Sequence, residues 1–163
     1  MPARLKLLLA VGAVLAAVVV VVPTAIATPA RTVSGEWSTS QLNATGFKPA
    51  GANLKLPATV DSVWSGDLAG TTVAVATFLI HADGSVVAAP ARETFDGTLF
   101  GVRSGTLSFI EEAHSQPDGS TEIDATIIGG TGELAQLHGR VIFLGICDIN
   151  GSCTGTYRGQ IQG

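Results

Sequence analysis

The chain has 163 residues, nine basic and 13 acidic side chains, and a formal net charge of −4. Basic residues do not cluster and no aromatic–basic stretch occurs, which argues against nucleic acid or an anionic membrane surface as a partner. Hydrophobic residues make up 46% of the chain, and part of that share comes from a single N-terminal run.

That run, residues 7–22, is unbroken and apolar and follows Arg4 and Lys6. Pro23 interrupts it, and Ala25-Ile26-Ala27 is a small-residue cleavage pattern. This order is that of a secretory signal peptide over residues 1–27. A retained membrane anchor is the alternative. As a helix the run would span only ~24 Å, short of a bilayer core. No cysteine follows it directly, which disfavours a lipid anchor. The expectation is a secreted, extracellular protein, free of the membrane after cleavage, with one domain over residues 28–163. Loss of Arg4 and Lys6 makes that domain more acidic, at −6.

Within the domain, residues 33–39 alternate around Trp37 and predict a first strand. Residues 41–57 read as a loop, punctuated by Gly46, Pro49, Gly51 and Pro57. Residues 58–64 predict a second strand, Ser65 to Gly70 a turn, and residues 71–81, rich in Val, Thr, Phe and Ile, a third strand. Asp83-Gly84 closes that strand as a hairpin. Residues 86–95 form the fourth, where Pro90 predicts an edge or a bulge, and Asp96-Gly97 is the next expected turn. Residues 98–114 read as a long ribbon with a turn or bulge at Gly101 and Gly105. After Pro117-Asp118-Gly119 come strands over 120–128, 141–146 and 154–161. Between the first two of these, residues 129–139 are too short for a crossover helix. They predict a short helical plug, started by Thr131, ended by Gly139, with Leu134 and Leu137 on one buried face.

Eight strands at regular spacing with repeated Asp-Gly turns predict an all-β, small antiparallel eight-stranded β-barrel with up-and-down connections. Closure removes the two edges that such a meander would expose. Cys147 and Cys153 flank an Asn150-Gly151 turn. Export and that turn predict a disulfide in a hairpin. A metal pair lacks further ligands at a sensible spacing, and a redox pair would favour Cys-x-x-Cys.

Four blocks carry a family resemblance: Ser65-Gly66-Asp67-Leu68-Ala69-Gly70, Ala82-Asp83-Gly84, Glu93-Thr94-Phe95-Asp96-Gly97-Thr98-Leu99 with Arg103-Ser104-Gly105, and Gly130-Thr131-Gly132-Glu133-Leu134-Ala135-Gln136-Leu137-His138-Gly139. In that order they resemble a bacterial domain-of-unknown-function family with an allene oxide cyclase-like barrel. The resemblance implies the eight-stranded barrel and brings no activity with it. Allene oxide cyclases and dirigent proteins share this architecture and take apolar small molecules, but no motif here matches their catalytic residues. The leader and the Cys147–Cys153 hairpin depart from the usual family pattern.

Candidate chemistry is sparse. Gly130-x-Gly132-x-x-Ala135 matches a dinucleotide fingerprint in form, but the following segment is too short to return to a parallel strand. No cofactor is implied. His81, His114 and His138 lack paired metal-ligand spacing, so no metal is expected. Glu111 and Glu112 point to opposite faces of a strand and form no dyad. Glu93 shares a strand face with Ala91 and Phe95 and is the candidate acid or base if that face turns inward. The alternative is a structural pair with Arg103. Ala74, Ala76 and Phe78 on one strand, with Glu93 and Phe95 on another, are the expected pocket lining. Three functions compete: a barrel that binds a small apolar molecule, an isomerase or cyclase acting on one, and an interaction protein with a filled barrel.

Overall fold

A computed structural model describes residues 29–148 and 150–163. The expected signal peptide lies outside the described residues.

The strands are β1 (Arg31–Ala44), β2 (Lys48–Ala50), β3 (Asn53–Gly66), β4 (Leu68–Ile80), β5 (Val86–Leu99), β6 (Arg103–Ser115), β7 (Ser120–Gly130), β8 (His138–Cys147) and β9 (Cys153–Gln162). Every ladder is antiparallel, in the order β1-β9-β8-β7-β6-β5-β4-β3, and a β1–β3 ladder closes the ring. Eight strands therefore make the closed barrel, and β2 is a three-residue ribbon folded onto the start of β3.

The strands are longer than the sequence predicts. Asp96-Gly97 is no turn: it lies inside β5, and the chain reverses after Leu99 instead. Gly97 sits opposite Gly70 of β4. A Cβ on Gly97 would lie 2.3 Å from the Ala69 carbonyl oxygen and 2.6 Å from the Phe95 ring, so the glycine serves a close approach of two walls. The expected loop over 41–57 holds the end of β1, all of β2 and the start of β3. Pro90 occupies a bulge, where the β5–β6 register shifts between Ala88 and Ala91. The β4–β5 register shifts at the same level, between Val75 and Leu79.

The plug is one 3-10 turn, Gly132–Leu134. Thr131 does not cap it through its side chain. Its hydroxyl turns to the wall instead, 2.7 Å from the Thr106 hydroxyl. Arg103 donates to the Glu133 carbonyl, and the Glu133 carboxylate accepts from the Ser104 backbone N–H at 2.9 Å. These bonds stitch the turn to β6. Leu134 and Leu137 are buried beneath it. The antiparallel β7–β8 ladder on either side excludes the parallel crossover that a dinucleotide fingerprint needs.

Alternation of period two sorts the side chains. Inside the plug end lies an aromatic core. The Trp64 ring stands 4.7 Å from Phe143, 5.2 Å from Phe95, 5.6 Å from Phe109 and 5.7 Å from Tyr157, centre to centre. The Tyr157 hydroxyl accepts from the Leu68 N–H at 2.7 Å and donates to the Leu68 carbonyl at 2.8 Å. Burial pushes its pKa up to about 12. At the other end Cys147 and Cys153 are register partners and form the expected disulfide.

Candidate functional site

Beyond the aromatic core the interior changes character. Ala76, Ala88 and Ala91 form a separate buried cluster, with Phe78 and Ala113 packed against it. Between the two clusters lies a polar layer. Glu93 and Glu111 are both buried, 7% exposed each, and both point inward. Glu93 is the register partner of Ala74 on one side and Phe109 on the other. Glu111 follows Phe109 by two residues, so the two carboxylates are diagonal neighbours on one face of adjacent strands. Thr72 pairs with Phe95 and reaches the same layer from β4.

Two carboxyls in an apolar barrel cannot both ionise cheaply. Burial raises the pKa of Glu93, against the opposing hydrogen bond of the Glu111 carboxyl and a weaker pull from Thr72. Burial also raises Glu111 well above the usual range, and the charge and hydrogen bond of Glu93 add to that rise. The pair is best described as one acid that shares a proton, its titration belonging to both carboxyls together. The Thr72 hydroxyl is 2% exposed. It faces Glu93 closely enough to favour the charged carboxylate, yet makes no hydrogen bond of normal geometry.

No cation answers this layer from within. Among the described residues every lysine and arginine is exposed except Arg103, which is half-buried and bonded to the plug. The pairing of Glu93 with Arg103, offered by the sequence as an alternative, does not form. Arg140 pairs with Asp124 on the outer face. The histidines are also outside the layer: His114 meets Glu112 at 3.1 Å, and His138 is exposed. Among the described residues no three His, Cys, Asp or Glu side chains gather as a metal site would require.

Of the residues expected to line a pocket, Ala74, Ala76, Glu93 and Phe95 are buried and Phe78 is half-buried. Two concavities of about 540 Å³ each open in the wall rather than along the barrel axis, and both are bordered by Ala89 and Pro90. One is lined by Ala58 and Ala76, the other by Glu111 and Ile110. They lie where the β4–β5 and β5–β6 ladders slip, so the ladder bonds are interrupted beside the polar layer. Ala74, Phe78, Glu93 and Phe95 border neither.

Sequence reasoning missed Glu111 and Thr72 as partners of Glu93. The signal for Glu111 was present: Leu107, Phe109, Glu111 and Ala113 share one strand face, as the structure confirms by burying the first three. Comparing Glu111 only with its neighbour Glu112 hid it.

The fold and the layer define a small closed barrel with an ionisable interior. The family model described as "Protein of unknown function (DUF3224)" matches residues 33–145, and the chain belongs to that family. A crystal structure of a protein with unknown function from the DUF3224 family of Shewanella oneidensis MR-1 shares the fold at a TM-score of 0.64. It is 17% identical, over 82% of this chain and 97% of that one. None of the curated proteins matches the chain.

Proposed function

We propose that the protein is a secreted barrel that binds a small apolar molecule at the Ala89–Pro90 bulge, with the molecule reaching the alanine-lined half of the interior. The observation that carries this reading is the meeting of two wall concavities at the bulge, one bordered by Ala76 and the other by Glu111. The concavity at Ala76 is lined mainly by small side chains with Arg92 as its one charge, whereas the one at Glu111 also carries Glu112, Asp124 and Arg140. An apolar lining with a few polar groups is the usual form of a small-molecule site, and the first concavity supplies it. The allene oxide cyclase-like character of the barrel belongs to this proposal and not to the family assignment. Export rests on the leader and on the Cys147–Cys153 disulfide. N-terminal sequencing of protein recovered from culture medium tests it, and an intact leader in a membrane fraction would overturn it.

Binding is tested by titration with an apolar fluorescent dye. Ala76→Trp fills the alanine-lined side and should abolish the signal while far-UV circular dichroism stays unchanged. Dye binding that survives the substitution would place the site elsewhere.

A second reading is an isomerase or cyclase. The buried Glu93–Glu111 pair favours it, because an acid and a base side by side can move a proton within one substrate without a cofactor. Glu93→Gln separates the two: turnover should vanish for an enzyme, whereas affinity for neutral molecules should persist for a binder.

A further inference from the structure

Resting on the binding reading above, we propose that the layer formed by Thr72, Glu93 and Glu111 receives a primary ammonium group carried by an otherwise apolar molecule. Three adjacent strands, β4, β5 and β6, each contribute one oxygen-bearing side chain to this layer. A primary ammonium offers three N–H donors, and the three side chains offer acceptors. The Thr72 hydroxyl is the independent sign of an absent partner: it is buried beside Glu93 and makes no hydrogen bond of normal geometry. A buried hydroxyl without a partner costs free energy that a bound donor would recover.

The electrostatics point the same way. The layer holds carboxyl oxygens, and among the described residues no lysine or arginine is buried with them; Arg140, which borders the concavity beside Glu111, is held by Asp124 on the outer face. A ligand ammonium supplies the missing positive charge. Phe109 lies directly across from Glu93, and Phe95 two residues along its own strand, so aromatic rings lie beside the seat of the cation. The alanines next to the layer accept a hydrocarbon tail. Other head groups fit less well. A carboxylate is repelled, an alcohol donates one hydrogen where three acceptors wait, and a divalent cation lacks the ligand count it needs.

The affinity should depend on pH. With the pair fully protonated, its hydroxyls compete as donors and the cation gains little. As pH rises and the pair loses its protons, ammonium binding strengthens, until the amine itself deprotonates near ~10. The register partners of the pair are Ala74, Phe109, Ala91 and Ala125, none of which titrates; Glu112, Asp124 and Arg140 border the concavity beside Glu111. Tyr157, buried deeper, stays neutral and engaged with Leu68.

The test is calorimetric titration of the full, disulfide-bonded protein with n-octylamine, 1-octanol and octanoate at pH 7.5, with an apolar dye in parallel. Octylamine should bind at least tenfold more tightly than octanol, and octanoate most weakly. Thr72→Val and the double variant Glu93→Gln/Glu111→Gln should each erode the preference, the latter to near parity, while dye binding reports that the fold and the apolar site survive. Equal affinity for the amine and the alcohol, with dye bound, would overturn the ammonium assignment and leave the binding reading intact. An amine preference that survives the double variant would also overturn it, since the cation would then sit elsewhere. Failure of all three ligands and of the dye would overturn both.

Discussion

Leu134 closes the plug end of the barrel, and its truncation to alanine isolates what that closure contributes. The side chain is fully buried beneath a single 3-10 turn. Leu134→Ala removes three carbon atoms and leaves a void bounded by the aromatic core and the β6 wall. The turn is pinned by Arg103 and Ser104 through Glu133, so it cannot sink to refill the space. Burial of this kind costs about 3 kcal/mol on truncation, and more where collapse is prevented. For a domain of this size that corresponds to a fall in melting temperature of roughly 12 °C, at about 4 °C per kcal/mol. Urea unfolding followed by tryptophan fluorescence reads the same quantity, because Trp64 sits in the cluster above the plug. Dye binding in the alanine-lined half should be unchanged at temperatures where the variant is folded. A loss below about 1 kcal/mol would refute the reasoning, since the barrel would then close without the plug. Loss of dye binding in the folded variant would mean that the two halves of the interior are not independent.

Three further outcomes are expected. Leu137→Asp should destabilise by several kcal/mol, more than Leu134→Ala, because it leaves a charge buried without a partner; the same urea titration reads it. Reduction of Cys147–Cys153 should cost about 2 kcal/mol in the chain-entropy model for so short a loop, read as a shift in thermal midpoint with and without reductant. The Glu93–Glu111 pair has folded-state pKa values raised above the ordinary carboxylate value of 4.5, so the folded state holds more protons than the unfolded chain as pH rises from there. Its contribution to stability is therefore lost with increasing pH, and Glu111→Gln should stabilise the protein at pH 8 relative to wild type while changing little at pH 4. A variant equally displaced at both values would mean that the pair is not the source of the pH dependence.

The barrel was legible in the sequence because its signals are local. Asp83-Gly84 and Pro117-Asp118-Gly119 mark real reversals, and strand alternation grouped Ala74 with Ala76 and Glu93 with Phe95 on common faces, which the barrel buries. The errors also have local causes. Asp96-Gly97 carries turn chemistry, yet Gly97 is needed for its closeness to Gly70, a demand set by a strand 27 positions away. The segment over 41–57 looks like a loop because prolines and glycines punctuate it, but Pro57 lies within β3: the ladder with β1 reaches Ala58 beside it, and the ladder with β4 runs through it to Leu54. The meeting of Glu93, Glu111 and Thr72 was legible only in part: alternation sets Glu111 on the face of Leu107 and Phe109, but not beside Glu93. It depends on register, and a slip of one residue between β5 and β6 would turn Glu111 to solvent. Sequence alternation says which side a residue faces; only the ladder says whom it meets.

Register also explains why the layer looks built for something other than stability. A barrel that needed only to fold would place leucine or phenylalanine at positions 93 and 111, continuing the aromatic core toward the disulfide end. Two carboxylates there weaken the fold at neutral pH, through burial first and mutual repulsion second. The neighbouring β5–β6 bulge at Ala89–Pro90 interrupts the same wall one step away and brings a surface concavity up to Glu111. Either feature alone is a structural irregularity. Together they put an ionisable, under-partnered layer beside a break in the wall's ladders, on the side away from the aromatic core and the plug, which is where the proposed ligand would enter.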